Sequence, residues 1–371
     1  MSALEPANSE SISTGERKVS TGEDRQLRNL DILRAIAVLS VLSSHLAPFM
    51  GFGTPEVRTF WGLGLGRFGV LIFFVHTALV LMLSMERSSL APQWTSSFYI
   101  QRIFRIYPLS IVCLIVVLAC RVPNGDLSDL HTVFAWPSLS ALLLNLALVQ
   151  NFVAGSSISS PMWSLPFEIQ MYLLLPGVFW FIRREGRNGI AMLVSASLII
   201  AVAEKALFPS GPWLTHYFPC FMAGVLAYAI VNRKRLFPGA AWPFAILATG
   251  VAFCWSGLSP LAQWGACLAL GIMIPLFRDI GSGVAAKAAS LVARYSYGIY
   301  LSHLPLEWLC FRKLQMPIWS RWTLYVALVS IVPVALYHFL EAPMIRMGRR
   351  VSFFRSRSGC AVGSRSVPQT G

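Results

Sequence analysis

The stretch Leu30-Asp-Ile-Leu-Arg-Ala-Ile-Ala-Val-Leu-Ser-Val-Leu-Ser-Ser-His-Leu-Ala-Pro-Phe-Met50 decides the class of fold. Its length matches the roughly 20 mostly apolar residues that a helix needs to cross a bilayer. It is longer than the apolar core of a signal peptide, which runs for about 7–15 residues, and it lacks a small-x-small cleavage site. We therefore expect it to remain in the protein as a membrane span.

The rest of the chain has the same character. Of 371 residues, 56% are hydrophobic and 12% are charged, whereas a soluble domain carries about 25% charged residues. A chain of this composition cannot cover its surface in water, so an ordinary soluble domain is excluded. We predict one membrane domain over residues 30–345. Residues 1–29, rich in Ser, Thr, Glu and Gly, are predicted to be a disordered cytoplasmic tail, and residues 346–371 a basic cytoplasmic tail.

The basic loops predict the topology of this domain, because short loops rich in Lys and Arg favour the cytoplasm. Ten apolar runs follow the first one, near 67–85, 106–120, 138–153, 165–182, 190–207, 213–231, 241–258, 260–278, 295–311 and 322–340. After residue 183, two spans lie between each basic cluster and the next. Because both ends of the chain are expected in the cytoplasm, an even number of spans must also lie before residue 183. The weak run 138–153 is therefore predicted to be re-entrant or interfacial. The expected fold is an all-α integral membrane bundle of about ten helices with both termini cytoplasmic, although Arg312, Lys313 and Arg321 then fall in an outer loop.

The first span contains two polar residues that lipid should exclude. A charged group at mid-membrane costs about 2.5–3.5 kcal/mol on insertion scales. Arg34 and His45 are eleven residues apart, which is three helical turns, so both share one face about 16 Å apart. Arg34 is expected near the cytoplasmic end and His45 in the outer half. Structural alternatives are a snorkelling anchor for Arg34 and an interhelical hydrogen bond for His45.

A pair of arginines precedes the third predicted span. Arg102 and Arg105 are spaced at i and i+3, so the two guanidinium groups project from one side of a helix. Two arginine forks with aromatic neighbours suit phosphate and a stacked ring. The structural alternative is cytoplasmic anchoring.

A polar stripe opens the span at 165–182. Ser164, Glu168 and Tyr172 recur at i, i+4 and i+8, on one face of an otherwise apolar helix. Glu168 is expected one or two turns from the outer face, at a depth compatible with His45; the structural alternative is a salt bridge between spans. His303, midway through the penultimate span, is interpreted as a satisfied core group.

The order of the motifs resembles the acyltransferase 3 family of membrane O-acyltransferases over about residues 28–345. The motifs are Leu30-Asp-Ile-Leu-Arg34 with His45, Gly69-Val70 with Phe73-Phe74, Arg102-x-x-Arg105-x-Tyr-Pro108, Trp163-Ser-Leu with Glu168, Gln170 and Tyr172, and Ser296-Tyr297 with Tyr300-Leu301 and His303-x-Pro305. The resemblance implies that Arg34, His45, Arg102 and Arg105 carry activity. It also implies acetyl transfer from cytoplasmic acetyl-CoA to sugars and other hydroxyl acceptors. The chain departs from the family pattern at His76-Thr-Ala78, Pro166 and Ile169, positions that concern the acceptor more than the acyl-transfer core.

These features combine in one mechanistic hypothesis. Arg102 and Arg105 bind the phosphates and adenine end of acyl-CoA, and His45, oriented by Glu168 or another carboxylate, takes the proton from the acceptor hydroxyl. Arg34 steadies the donor or the oxyanion, and an acyl-histidine intermediate stays open. The expected partners are acyl-CoA as cosubstrate, a carbohydrate or lipid-linked glycan, and the bilayer of the inner (plasma) membrane. No permanent cofactor, metal or nucleic acid is expected.

Three other functions remain open at this point. Within the enzyme class, the acceptor could be a small-molecule glycoside such as a macrolide. From another class, intramembrane His, Arg and Glu also build transporters or flippases for lipid-linked sugars; such folds usually show repeated halves, which this sequence lacks. A membrane scaffold would give the polar residues a packing role only.

Overall fold

Helices form nearly all of the chain that the structure, a computed structural model, describes. The described residues are 22–50, 59–90, 93–124, 133–152, 157–207, 214–231 and 234–363, without the side chains of 22–27, 59, 61 and 354–363. Within them the α-helices are α1 Gly22–Leu46, α2 Leu65–Ser88, α3 Trp94–Ala119, α4 Leu139–Ala147, α5 Leu165–Leu207, α6 Leu214–Ala229, α7 Trp242–Trp255, α8 Pro260–Met273, α9 Val284–Glu307, α10 Ile318–Leu336 and α11 Ala342–Gly363. These described ranges hold no β-strand, only an isolated bridge between Phe237 and Phe277. The all-α expectation is confirmed.

Five helical segments are long and apolar enough to cross a bilayer. They are Arg28–Met50, Gly62–Ser88, Trp94–Ala119, Ser160–Leu207 and Ile318–Phe353, and two shorter apolar helices cover Gly239–Trp255 and Pro260–Leu276. With α6, α9 and the two arms of α5, these segments agree with a bundle of about ten helices. The orientation of the termini and the position of the bilayer stay predictions.

The long helix α5 consists of two arms joined at Gly186. This residue has φ 60° and ψ −135°, a conformation that side chains other than glycine rarely adopt. Residues 165–185 and 187–207 each extend about 31 Å at 1.5 Å per residue, close to the thickness of a hydrocarbon core. Leu173, Leu174 and Ile200 line one cavity between the arms, so the chain reverses direction at Gly186.

The segment predicted to be re-entrant or interfacial contains only a short helix. α4 has 9 residues, which cover about 14 Å and cannot span a bilayer. Two amides fold the following residues back onto it: Asn145 Oδ1 accepts from the backbone N–H of Ile158 at 3.0 Å, and Gln150 Nε2 donates to the Met162 carbonyl at 3.0 Å. This agrees with the demotion of 138–153.

The ordered domain extends beyond the predicted boundary at its start. α1 begins at Gly22 rather than at Leu30. Asn29 is buried, donates to the Arg278 carbonyl at 3.1 Å, and accepts from the Ile280 N–H at 3.0 Å. These bonds hold α1 against the segment before α9, so the predicted tail 1–29 includes residues that the fold uses. Residues 1–21 lie outside the described part.

The third predicted span and the predicted C-terminal tail also differ from the structure. α3 begins at Trp94, not near residue 106, and Pro108 lies inside it. The arginine pair is therefore part of the helix and not a segment before it. Residues 346–363 of the basic tail belong to α11, which packs against α3, with Gln101 Nε2 donating to Ser352 Oγ at 3.4 Å. Residues 364–371 are not described.

Backbones approach closely in the centre of the bundle, where α1 packs on α2 and α9, and α6 on α2, α5 and α8. A Cβ at Gly224 of α6 would overlap the Val75 carbonyl of α2, and one at Gly271 of α8 would overlap the Ala223 carbonyl of α6. Small residues at such crossings let helices pack without side chains between them.

We expect Gly271→Ala to lower the melting temperature of the purified protein, because the added methyl group collides with a backbone oxygen that cannot move alone. Overpacking of this kind costs about 1–3 kcal/mol. Gly265→Ala in the same helix is the matched control, since a Cβ there meets no atom within 4 Å. Equal melting temperatures for the two variants in detergent would contradict the α6–α8 contact.

Candidate active site

A cavity of about 240 Å³ opens between α1, α2, α3, α5 and α9. Four residues predicted for the site line it: Arg34, Arg102, Arg105 and Glu168. The structure therefore brings together side chains from distant parts of the sequence: Arg34 and Glu168 are 134 positions apart. His45, the fifth predicted residue, is not among the lining residues.

Arg34 is held in the wall of the cavity by α9. Its Nε donates to Ser296 Oγ at 2.6 Å, and the Ser296 hydroxyl gives its own proton to the Ala293 carbonyl at 2.8 Å. Ser296 is fully buried, so its oxygen has a fixed position and its lone pairs are available to Arg34. The rest of the guanidinium group can face the cavity.

The two arginines of α3 enter the same cavity within the two turns before Pro108. The guanidinium carbon of Arg102 lies 5.8 Å from the centre of the Phe98 ring, and Glu168 and Tyr172 line the same cavity as Arg102. Its Nε is buried and has no hydrogen-bond partner among the described residues. Arg102 thus keeps a donor for a group that the described residues do not supply.

Two carboxylates face the three arginines. Glu168 accepts a short hydrogen bond from Tyr172, and Glu341, which is 2% exposed, interacts with the charges of Arg34 and Arg105. The formal charges of these three guanidinium groups and two carboxylates sum to +1. The sequence did not assign Glu341 to the site because it follows an apolar run, where a charged residue is typical of the end of a span.

Two polar residues of α9, Tyr300 and His303, lie between the cavity and His45. Its ring centre is 5.0 Å from that of His303, and the His303 ring is 6.2 Å from Tyr300. Tyr300 lines the cavity. Its hydroxyl donates to the Pro161 carbonyl at 2.7 Å and pairs with Ser164 Oγ at 2.8 Å. Tyr300 and His303 therefore connect the arginine cavity with His45.

The structure does not place Glu168 beside His45, where the sequence predicted it. Glu168 faces the arginines and Tyr172, in the cavity that does not include His45. A side chain that the structure does place beside His45 is His303. Sequence analysis assigned His303 to the core, although its position in the motif His303-x-Pro305 was noted.

A larger cavity of about 800 Å³ lies elsewhere, between the arms of α5 and the start of α6. Its lining is mostly apolar, with Gln170, Glu204 and Thr215 as polar exceptions. None of the predicted site residues lines it. The smaller cavity is the better candidate because it collects charged groups that are costly inside a membrane protein.

Comparison with known proteins identifies the family of the chain. The profile of the acyltransferase domain that defines the acyltransferase 3 family matches residues 27–338. Nodulation protein 10 of Rhizobium leguminosarum bv. viciae is 27% identical over 312 residues, which cover 74% of this chain and 82% of that protein. The exopolysaccharide production protein ExoZ of Rhizobium meliloti (strain 1021) is 26% identical over 309 residues, or 77% and 91% of the two chains.

A third relative is longer than this chain. YrhL of Bacillus subtilis (strain 168), whose name proposes a peptidoglycan O-acetyltransferase, is 25% identical over 383 aligned positions; these cover 90% of this chain and 57% of YrhL. No solved structure matches the chain.

The family match supports a membrane-embedded enzyme that transfers acyl groups. The chain belongs to the acyltransferase 3 family.

Proposed function

We propose that the protein transfers an acyl group, acetyl by preference, from acyl-CoA to a hydroxyl of a carbohydrate or lipid-linked glycan in the plasma membrane. The observation that carries this proposal is the convergence of Arg34, Arg102 and Arg105 on one cavity, with His45 three turns further along the helix that holds Arg34. The arginines at one end of the site suit the anionic phosphates of acyl-CoA, and the candidate base at the other end suits its reactive thioester.

The arginines suit the phosphates of CoA. Guanidinium groups bind phosphate oxygens in bidentate pairs that are stronger than neutral hydrogen bonds. The buried Nε of Arg102 has no hydrogen-bond partner among the described residues, and Glu341 and Glu168 compensate only part of the formal charge. Arg34, held by Ser296 at 2.6 Å, is close enough to this cluster to steady the donor, which favours that role over an oxyanion role at His45.

The size of the cavity supports an extended donor. Pockets for drug-sized ligands measure about 300–1,000 Å³, so a volume of about 240 Å³ is too small to enclose a whole acyl-CoA. It suits the narrow pantetheine arm. In this arrangement the nucleotide stays at the cytoplasmic mouth, and the thioester points past Tyr300 toward His45.

His45 is the proposed general base. It removes the proton from the acceptor hydroxyl while the oxygen attacks the thioester carbonyl; the C–S bond breaks, and the proton passes to the CoA sulfur. A histidine suits both steps because it titrates near neutral pH. Carbohydrate as acceptor is supported by the names of ExoZ and YrhL, which refer to exopolysaccharide and peptidoglycan.

The function is tested with purified protein in lipid nanodiscs. Acetyl-CoA and a soluble oligosaccharide fragment should give free CoA thiol and an acetylated product, both measured by mass spectrometry. A panel of glycosides that includes a macrolide distinguishes the small-molecule acceptor. Transport of a lipid-linked sugar by reconstituted vesicles without thiol release would contradict an acyltransferase.

Loss of one arginine of α3 should weaken donor binding. We expect Arg102→Gln and Arg105→Gln to raise the KM for acetyl-CoA roughly 10- to 100-fold, because each removes a charge-assisted contact worth about 1.5–3 kcal/mol. Arg183→Gln is the control, since Arg183 is an exposed arginine of α5 outside the cavity. Unchanged donor affinity in both α3 variants would show that CoA binds elsewhere.

A further inference from the structure

His303 is a buried histidine that the proposed chemistry does not yet use. It lies on α9 and is 1% exposed. Its ring is 5.0 Å from that of His45, with 51° between the two ring planes. Nearby polar atoms also lack hydrogen bonds within the described chain: Ser302 Oγ and Glu307 Oε2 are both buried and unpartnered. A buried histidine with a packing role usually has hydrogen-bond partners for both ring nitrogens. The surroundings of His303 therefore indicate a role other than packing.

The hydrogen bond that His303 does make fixes the position of its proton. Nδ1 lies 3.2 Å from the Ile299 carbonyl oxygen, one turn earlier on α9. A carbonyl oxygen can only accept, so Nδ1 carries the proton. In a neutral imidazole the other nitrogen then carries a lone pair. That nitrogen, Nε2, has no partner among the described residues.

We propose that His303 is a positioning residue for His45. Its Nε2 accepts an N–H from the imidazole of His45, which leaves the lone pair on the other His45 nitrogen, where the acceptor hydroxyl is to be deprotonated. Two imidazole rings at 5.0 Å need only a small rotation to form this bond, and catalytic hydrogen bonds often tighten only when substrate is bound.

This inference rests on the proposed function and adds a partner for its base. When His45 takes the hydroxyl proton, it becomes an imidazolium, and the bond to His303 Nε2 stabilises that charge. The C–O bond then forms, the C–S bond breaks, and the proton moves from His45 to the CoA sulfur, while His303 keeps its own proton throughout. The arrangement parallels the general role of the third group in a catalytic triad. A neutral acceptor fills this role without the cost of another buried charge.

Three substitutions of His303 separate positioning from packing. A glutamine amide reaches the place of Nε2 and can accept the hydrogen bond. An asparagine amide reaches only the place of Nδ1, so it can keep the bond to Ile299 but offers nothing to His45. Leucine fills similar space and makes neither bond. The matched pair is therefore His303→Gln and His303→Asn.

We expect His303→Asn and His303→Leu to lower kcat roughly 10- to 100-fold with the KM for acetyl-CoA unchanged, which corresponds to the loss of one hydrogen bond to a charged group. His303→Gln should recover most of the wild-type kcat. A packing role predicts no such difference between Gln and Asn. If the leucine variant fails to fold, the comparison of the other two decides.

Two failures can be told apart. A wild-type protein that releases no CoA thiol from any acyl-CoA contradicts the proposed function itself. An active wild type with Gln and Asn variants of equal kcat, or with the effect confined to KM, overturns the positioning role of His303. Activity that survives in His45→Ala but not in His303→Asn overturns it too, since His303 would then be the base.

Discussion

His45→Ala is expected to abolish acyl transfer while the protein still inserts and folds. The substitution removes the only proposed base, and general acid–base catalysis contributes about 10²- to 10⁴-fold to a rate. Alanine is favoured in a membrane helix, so α1 should keep its place against α2 and α9. Thiol release from acetyl-CoA measures the loss, and the melting temperature measures the fold.

The control for this prediction is His216→Ala. His216 is a half-buried histidine at the start of α6, and the bond it makes to Trp264 Nε1, at 2.9 Å, uses its backbone carbonyl and survives the substitution. We expect this variant to keep wild-type turnover. Wild-type turnover by well-folded His45→Ala protein would refute the base and leave the arginine cavity as a binding site without an assigned chemistry.

Most of the fold could be predicted because the apolar runs have the length that a bilayer requires. α1 and the two arms of α5 agree with runs in the sequence, and the run 138–153, which the parity of basic loops excluded as a span, contains a helix of only 9 residues. Boundaries were less predictable. α3 extends past Pro108 toward Trp94 because the amphipathic turn with Arg102 packs on α11, and a sliding apolar pattern does not detect such a turn.

The convergence of Arg34, Arg102, Arg105 and Glu168 on one cavity could be anticipated from the cost of placing charges in lipid. Depth could not. Counting residues from the ends of runs put Glu168 level with His45, whereas in the structure it faces the arginines. The partners Glu341 and His303 come from helices far along the chain, and only packing determines which of their faces meets α1.

The outer-loop cations that opposed the predicted topology have contacts of their own. Arg321 Nε donates to the Met316 carbonyl at 2.7 Å, and the guanidinium carbon of Arg312 lies 6.0 Å from the ring centre of Phe49. These contacts hold the two arginines in place in the predicted outer loop. Their predicted position outside is compatible with a charge rule that is statistical.

Cysteine labelling should resolve the topology as an all-or-none result, because donor and acceptor reach His45 from opposite sides only if ten spans are correct. Suitable probe positions follow from the structure. Val133 is 82% exposed in the segment before α4, and Arg187 is exposed beside the bend at Gly186. Ile158 is 7% exposed and Gly186 has positive φ, so cysteines at those two places would label poorly or strain the chain.

In a background without the seven native cysteines, Val133→Cys is expected to react with an impermeant maleimide in intact cells, and Arg187→Cys only after permeabilisation. Both sites must label in detergent, which controls for accessibility. Labelling of Arg187→Cys in intact cells would mean an odd number of spans before it. The mouth of the arginine cavity would then have to be reassigned, since CoA is confined to the cytoplasm and its phosphates cannot reach Arg102 from outside. His45 and His303 would remain neighbours in that case, so their pairing would survive while the proposed route of the donor would not.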